Sequence, residues 1–315
     1  MSKLHIVMYH YVRDLQNSRY PDIKGLDYKL FQQQIHFFSE HFNVIRMEDV
    51  IAYYTEGYCL PDNAMLLTFD DGYIDHFTYA FPVLKEYKMQ GSFFVPGKTF
   101  TEHCLLNVNK IHYLLASAPI EVLCEELYTQ MNYYRKEAEY PENEELFFKY
   151  AVENRFDSKE VIFFKRMLQT VLPERIRGQI SSDMLKKYVG VSENILSHEL
   201  YLNHDQMKCM KDAGMFFGVH GYDHYWMNQL DENTLKKDIE KGLKALGGLI
   251  DEKKWVINYP YGSYSEKVVE CIQNTGCVLG LSTDVRIADL KKDNRFILPR
   301  MDTNDYPPKK QEFRF

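Results

Sequence analysis

Short apolar runs that end in polar turns, separated by segments of helical spacing, constrain the fold of this chain most strongly. Leu4 to Tyr9, Ala64 to Phe69 and Gly91 to Val95 are too short and too apolar for surface helices and read as buried strands. Between them Phe31, Ile35, Phe38 and Phe42 recur at helical spacing. A short strand at Val44 and Ile45, a short helix from Met47 to Tyr54 and a helix from Phe77 to Tyr87 complete this first part. The same alternation returns after Asn203, an N-cap for a helix from His204 to Ala213. It continues through a strand Met215 to Val219 and a helix opened by Asp231, with Leu235, Ile239, Leu243 and Leu246 on one face. A strand Trp255 to Tyr259, a helix opened by Ser265, a strand Val278 to Ser282 and a last strand near Phe296 to Leu298 follow. Strand–helix alternation of this kind predicts an α/β protein with a parallel sheet covered by helices.

The rhythm stops from about Thr101 to about Tyr201, where the chain is rich in Glu, Lys, Tyr and Leu. There Leu123, Leu127 and Met131 fall four apart, as do Phe164 and Leu168. The division expected is therefore residues 1–100 and 202–315 as one sheet or barrel, split by a helical subdomain at 101–201 that caps the site or mediates homo-oligomer formation.

With 45% hydrophobic residues a sizeable core is assured, and 26% charged residues with few Gly and Pro exclude disorder. The net charge of −7, from 38 basic against 45 acidic residues, removes the driving force for nucleic-acid binding. No apolar stretch approaches the length of a membrane-spanning helix. The segment Leu4 to Val12 carries two His and is followed by Arg13 and Asp14 with no small-residue cleavage site, so it reads as a strand and not a signal peptide. Six scattered cysteines without a CxxC pattern fit free thiols. Together these features lead us to expect a cytoplasmic protein with no transmembrane segment.

Three loops carry chemistry. Thr68-Phe69-Asp70-Asp71-Gly72-Tyr73 sits where a buried strand ends, the place where parallel α/β folds bind ligands. Two adjacent carboxylates there need a metal, hydrogen bonds or a cation, unless Asp-Gly merely turns the chain. His220-Gly221-Tyr222-Asp223-His224 follows another strand, and two imidazoles four apart can share one metal if the backbone turns. One Asp and two His would leave an open position for water, whereas a structural zinc site wants four ligands. Asn258-Tyr259-Pro260-Tyr261-Gly262 forms a tight third loop able to aim a backbone N–H at the site, with Tyr to wall a sugar pocket. Each loop taken alone is also compatible with an ordinary turn.

Taken together and in this order, the loops resemble the polysaccharide deacetylases, the metal-dependent carbohydrate esterases that share the NodB homology domain. The resemblance spans about 1–100 and 203–300. TFDDGY and Tyr259-Pro260-Tyr261-Gly262 match the first and third motifs of that family, and HGYDH matches the second with Gly221 where a hydroxyl residue is common. The resemblance implies a distorted (β/α) barrel of the NodB type with a helical insertion. It implies metal ligation by Asp71, His220 and His224, with one divalent transition metal, zinc in most of the family and cobalt or nickel as alternatives. Asp70 would be the general base, and the backbone N–H of Tyr261 would hold the oxyanion. Tyr73, Asn258, Pro260 and Tyr261 would meet the substrate.

Two departures from the family pattern stand out. Asn258 occupies the place of the Arg that usually pairs with the base, and no late Leu-His-Asp motif supplies an acid. Members with permuted motifs place the acid His in the first strand, which Met8-Tyr9-His10-Tyr11-Val12 fits. His10 is therefore the expected acid and Arg300 the expected replacement cation beside Asp70. His76, His103 and His112 are expected to be surface or packing residues. The expected activity is removal of an N-acetyl group from an amino sugar, free as a sugar nucleotide or lipid-linked, in a surface polysaccharide, lipopolysaccharide or O-antigen precursor, with release of acetate. The alternatives are hydrolysis of a non-carbohydrate C–N bond and a metal-free carbohydrate-binding pseudoenzyme.

Overall fold

The computed structural model describes residues 3–154 and 157–313. They fall into two compact units, the first made of residues 3–14, 25–104 and 198–313, the second of 15–24, 105–154 and 157–197.

Eleven strands are found among the described residues of the first unit. In chain order they are β1 (Lys3–Tyr9), β2 (Val12–Arg13), β3 (Leu26–Asp27), β4 (Asn43–Val44), β5 (Ala64–Phe69) and β6 (Gly91–Val95). After the second unit come β7 (Phe216–Val219), β8 (Trp255–Asn258), β9 (Cys277–Leu281), β10 (Ala288–Asp289) and β11 (Met301–Asp302). The main sheet runs β10-β1-β5-β6-β7-β8-β9, every pair parallel except β10 with β1. Its central strands are buried on both faces, which is why they read as continuous apolar runs rather than alternating ones. The helices that cover it start where the sequence places their caps: Asn203, Asp231 and Ser265 each accept a bond from a backbone N–H in the first turn of their helix.

Two expectations are corrected here. The segment 77–87 is not one regular helix: a π-turn, His76–Ala80, precedes the helix Phe81–Glu86. Nor is there a strand at Phe296 to Leu298. Leu298 makes a single bridge to Leu281 of β9, and the chain then crosses to lie parallel to β1 as β11, pairing Met301 with Val7. The segment 298–302 thus spans the seam between β9 and β1 and closes a distorted (β/α) barrel. Gly280 permits this closure, because a Cβ there would lie 2.1 Å from the carbonyl oxygen of Phe296.

The second unit is helical and has its own core, in which Leu123, Leu127, Met131, Phe164 and Leu168 are buried with Phe163, Ile176 and Ile180. Residues 15–24 also belong to it, through Lys24 on Asp157 and the ring of Tyr20 against Tyr113. The sequence reading assigns them to the barrel, since ten residues without periodicity carry no sign of their distant partners. None of the helices among the described residues is long and apolar enough to cross a membrane.

The closure makes a prediction. Gly280→Ala sets a side chain against backbone that cannot swing away, and overpacking of this kind costs about 1–3 kcal/mol. Urea unfolding should show a lowered midpoint at unchanged slope; an unaltered midpoint would mean that the seam at Leu298 is not packed as described.

Candidate active site

The three loops anticipated from sequence meet at the C-terminal ends of β5, β7 and β8, and the closing segment 298–302 adds a fourth wall. Among the described residues six non-glycine positions have positive φ, and three are Asp71 (72°), His224 (57°) and Tyr261 (59°), one in each loop. Such conformations are costly and persist where the surroundings enforce them. At Asp71 the enforcement is visible. Gly72 follows with φ of 65°, and a Cβ there would come within 2.5 Å of Val95, so the Asp-Gly turn has no room for another residue.

Asp71 Oδ1 lies 3.3 Å from Nε2 of both His220 and His224. All three residues are buried, and their ligand atoms lie within 4.8 Å of one another. Two of the remaining atoms are committed elsewhere, while His224 Nδ1 is buried without a hydrogen-bond partner. Tyr73 donates its hydroxyl proton to Asp71 Oδ2 at 2.6 Å, and His220 Nδ1 donates to the carbonyl oxygen of Asn258 at 2.7 Å, which leaves Nε2 of His220 with its lone pair. Asp71 Oδ1 is buried with no hydrogen-bond partner. A buried carboxylate oxygen of that kind facing two imidazole nitrogens, at the spacing of atoms that share one ion at about 2.0–2.2 Å, fits a divalent transition metal. Burial would raise the Asp71 carboxyl, but the imidazoles of His220 and His224 outweigh it and hold it well below the carboxylate range. Burial also lowers His224, which favours the neutral, ligating form.

The loop that carries both histidines is held by Asp238, which accepts from the backbone N–H groups of Tyr222 (3.0 Å) and Asp223 (2.8 Å). Gly221 has a φ of 69°, and a Cβ there would meet Asp238 Oδ2 at 2.9 Å, so the turn favours glycine.

Arg300 is fully buried and engages all five of its N–H donors. Nη1 and Nη2 bind Asp70 Oδ1 and Oδ2 at 2.8 and 2.9 Å, a bidentate pair. The others reach Ser282 O (2.8 Å), Thr68 Oγ1 (3.2 Å) and Asn258 Oδ1 (2.9 Å). Asn258 also donates from Nδ2 to Asp70 Oδ1. Asn258 and Arg300 therefore meet at Asp70, where the family motif would have one Arg. Burial pushes the Asp70 carboxyl up, but the Arg300 charge, aided by His10 and His220, brings it down to about 2. His10 extends from the end of β1 with its side chain 46% exposed and Nε2 3.6 Å from Asp70 Oδ2.

Tyr73 and Asn258, expected to meet substrate, are fully buried and bound to Asp71 and Asp70 instead; Pro260 is buried as well. Tyr261 remains partly exposed. Its ring lies between the edge of His224 (4.6 Å) and the parallel face of Trp226 (4.5 Å, 5°). Sequence reasoning missed Trp226, whose position two residues after His224 carried no signal. It also set His76 aside. That residue is buried, with Nε2 donating to the carbonyl oxygen of His10 at 2.9 Å, and burial lowers its pKa to about 4.

The family model described as polysaccharide deacetylase matches residues 57–134 and 181–279, and the chain belongs to that family. YxkH of Bacillus subtilis (strain 168), a curated relative named for the same family, is 18% identical over 90% of the chain, which spans 65% of that protein's length. Among solved structures, the Streptococcus pyogenes deacetylase PplD in complex with acetate superposes with a TM-score of 0.59 at 17% identity, covering 98% of this chain and 96% of that one. IcaB from Ammonifex degensii gives 0.55 at 18% identity, with 98% and 95% covered. A de-N-acetylase from Aggregatibacter actinomycetemcomitans gives 0.56 at 14%, with 95% and 94% covered. These likenesses share the (β/α) barrel fold.

The Arg300–Asp70 pair is testable by stability. Arg300→Met leaves a buried carboxylate without its cation, which is expected to cost about 3–5 kcal/mol at neutral pH. Because the Asp70 value is depressed in the fold, the pair's contribution is fully present above the unfolded carboxylate's value near 4 and is lost as pH falls through about 2. In metal-free protein the gap between wild type and variant should therefore narrow on acidification across that range. A gap that is constant or widens would show that Asp70 is not the carboxylate Arg300 stabilises.

Proposed function

We propose that this chain is a metal-dependent N-deacetylase that hydrolyses the acetamide of an amino sugar, carried as a sugar nucleotide or lipid-linked saccharide, in a surface polysaccharide or lipopolysaccharide precursor. The observation that carries the reading is the juxtaposition at one barrel end of Asp71, His220 and His224, with Asp71 Oδ1 buried and unpartnered, and a second carboxylate that a buried arginine keeps ionised. Zinc suits two imidazoles and one carboxylate, and cobalt or nickel would fit the same donors. A divalent metal held there supplies Lewis acidity, lowering the pKa of water toward neutrality and polarising the acetamide carbonyl.

The rest of the chemistry falls to the chain's own residues. Asp70 Oδ2 accepts the proton of the attacking water, with Arg300 and Asn258 fixing the carboxylate's orientation. The backbone N–H of Tyr261 donates to the oxygen on which charge develops. His10 Nε2 delivers a proton to the departing amine, which leaves only when protonated. The partly exposed rings of Tyr261 and Trp226 offer apolar faces for a sugar ring.

The pseudoenzyme reading drew its support from Asn258 in the place of arginine. Arg300 places a cation on Asp70 from the segment just before β11, which removes that argument for it. Hydrolysis of a non-carbohydrate amide is separated by experiment. Acetate should be released from acetylated amino-sugar nucleotides or lipid-linked saccharides and not from acetylated peptides; the reverse pattern would refute the carbohydrate assignment. His10→Ala should slow an amide substrate about 10²–10⁴-fold while sparing an activated aryl acetate, whose leaving group needs no proton. Equal losses on both would remove His10 from the acid role.

A further inference from the structure

His10 poses a positioning problem. Its imidazole is half exposed, and at 3.6 Å from Asp70 it is beyond hydrogen-bond length, so that contact does not fix it. Its place must be set through the main chain, and three ties fasten that main chain to the segment after β5. Asp70 N–H donates to Tyr9 O at 2.9 Å. His76 Nε2–H donates to His10 O at 2.9 Å. Arg13 Nε donates to Asp75 Oδ2 at 2.7 Å, both side chains buried. Asp75 and His76 stand at the mouth of the π-turn His76–Ala80, a local irregularity often found at functional sites. The His76 ring packs among Phe69, Tyr73 and Phe93, and its Nδ1 has no hydrogen-bond partner. Among the described residues the ring's one hydrogen bond is thus to the His10 carbonyl. A buried imidazole is a costly choice for aromatic packing alone, since one nitrogen stays unsatisfied.

We propose that His76 is a positioning residue that acts through His10. By holding the His10 carbonyl it fixes where the half-exposed imidazole meets the leaving amine. The inference rests on the reading of His10 as the acid, and the following comparison separates the two. His76→Phe keeps an aromatic ring and removes the donor, whereas His76→Gln keeps an N–H donor at similar reach. Each is assayed on an acetamide and on an activated aryl acetate, in the wild-type and His10→Ala backgrounds, with metal content and melting temperature recorded.

Misplacement of a catalytic group by about 1 Å can cost 10²-fold. His76→Phe should therefore lower kcat on the amide by about 10–100-fold with KM and metal content little changed, leave the aryl acetate nearly untouched, and be rescued by Gln. In the His10→Ala background it should add no further loss. Equal losses on amide and ester, or an undiminished loss when His10 is already absent, would overturn the role of His76 while leaving His10 as the acid. If His10→Ala itself spares the amide, both assignments fall. Should His76→Phe not fold, His76→Met removes the donor with a flexible apolar side chain and is read by the same outcomes.

Discussion

The site is organised around the buried pair of Arg300 and Asp70. A guanidinium removed from water is tolerated only when its charge and all its donors are matched. Here every donor has an acceptor, contributed by β5, by Asn258 at the end of β8, and by the carbonyl of Ser282 just past β9. The ionic pair therefore also fixes strand ends relative to one another. Because Arg300 arrives on the segment that crosses from β9 to β1, closure of the barrel and ionisation of Asp70 are one structural event. This explains how asparagine can stand at position 258: the cation comes from the crossing segment just before β11, and the amide bridges carboxylate and guanidinium.

Strain is concentrated beside this pair. Asp71, His224 and Tyr261 all adopt left-handed backbone conformations, each held by neighbours: Val95 against Gly72, Asp238 under the histidine loop, and Trp226 on Tyr261. The histidine loop is also fastened to the chain after β6, where Gly97 N–H donates to Gly221 O and Lys98 Nζ pairs with Asp223. The positions of Asp71, His220 and His224 are thus set by backbone and surrounding contacts, the arrangement by which outer residues orient metal ligands.

The legible part of this site was the part written in contiguous residues. TFDDGY, HGYDH and YPYG each place a side chain within a few positions of a strand end, where periodicity and turn chemistry can be read directly. Arg300 was within reach as well, because a missing cation beside a carboxylate calls for another. Three features were not legible. The seam at Leu298 depends on a close approach at Gly280, and the ten residues that join the helical unit depend on contacts more than eighty positions away. The third, the bond from His76 to a main-chain carbonyl, has no sequence signature, since a histidine in an aromatic cluster reads the same with or without it. Tyr73 and Asn258 illustrate a converse limit: the motifs name the residues, but only the fold shows their side chains buried against the two carboxylates.

Asp71, His220 and His224 are assigned to one metal site beside an ionised Asp70. X-ray absorption at the metal edge, on protein loaded with one equivalent of zinc, tests it most directly. Two imidazole nitrogens and oxygen donors at about 2.0–2.2 Å from the metal are expected, with the imidazole scattering lost in a His220→Ala/His224→Ala variant that remains folded. A sulfur-containing shell, or an unaltered spectrum in that variant, would contradict it.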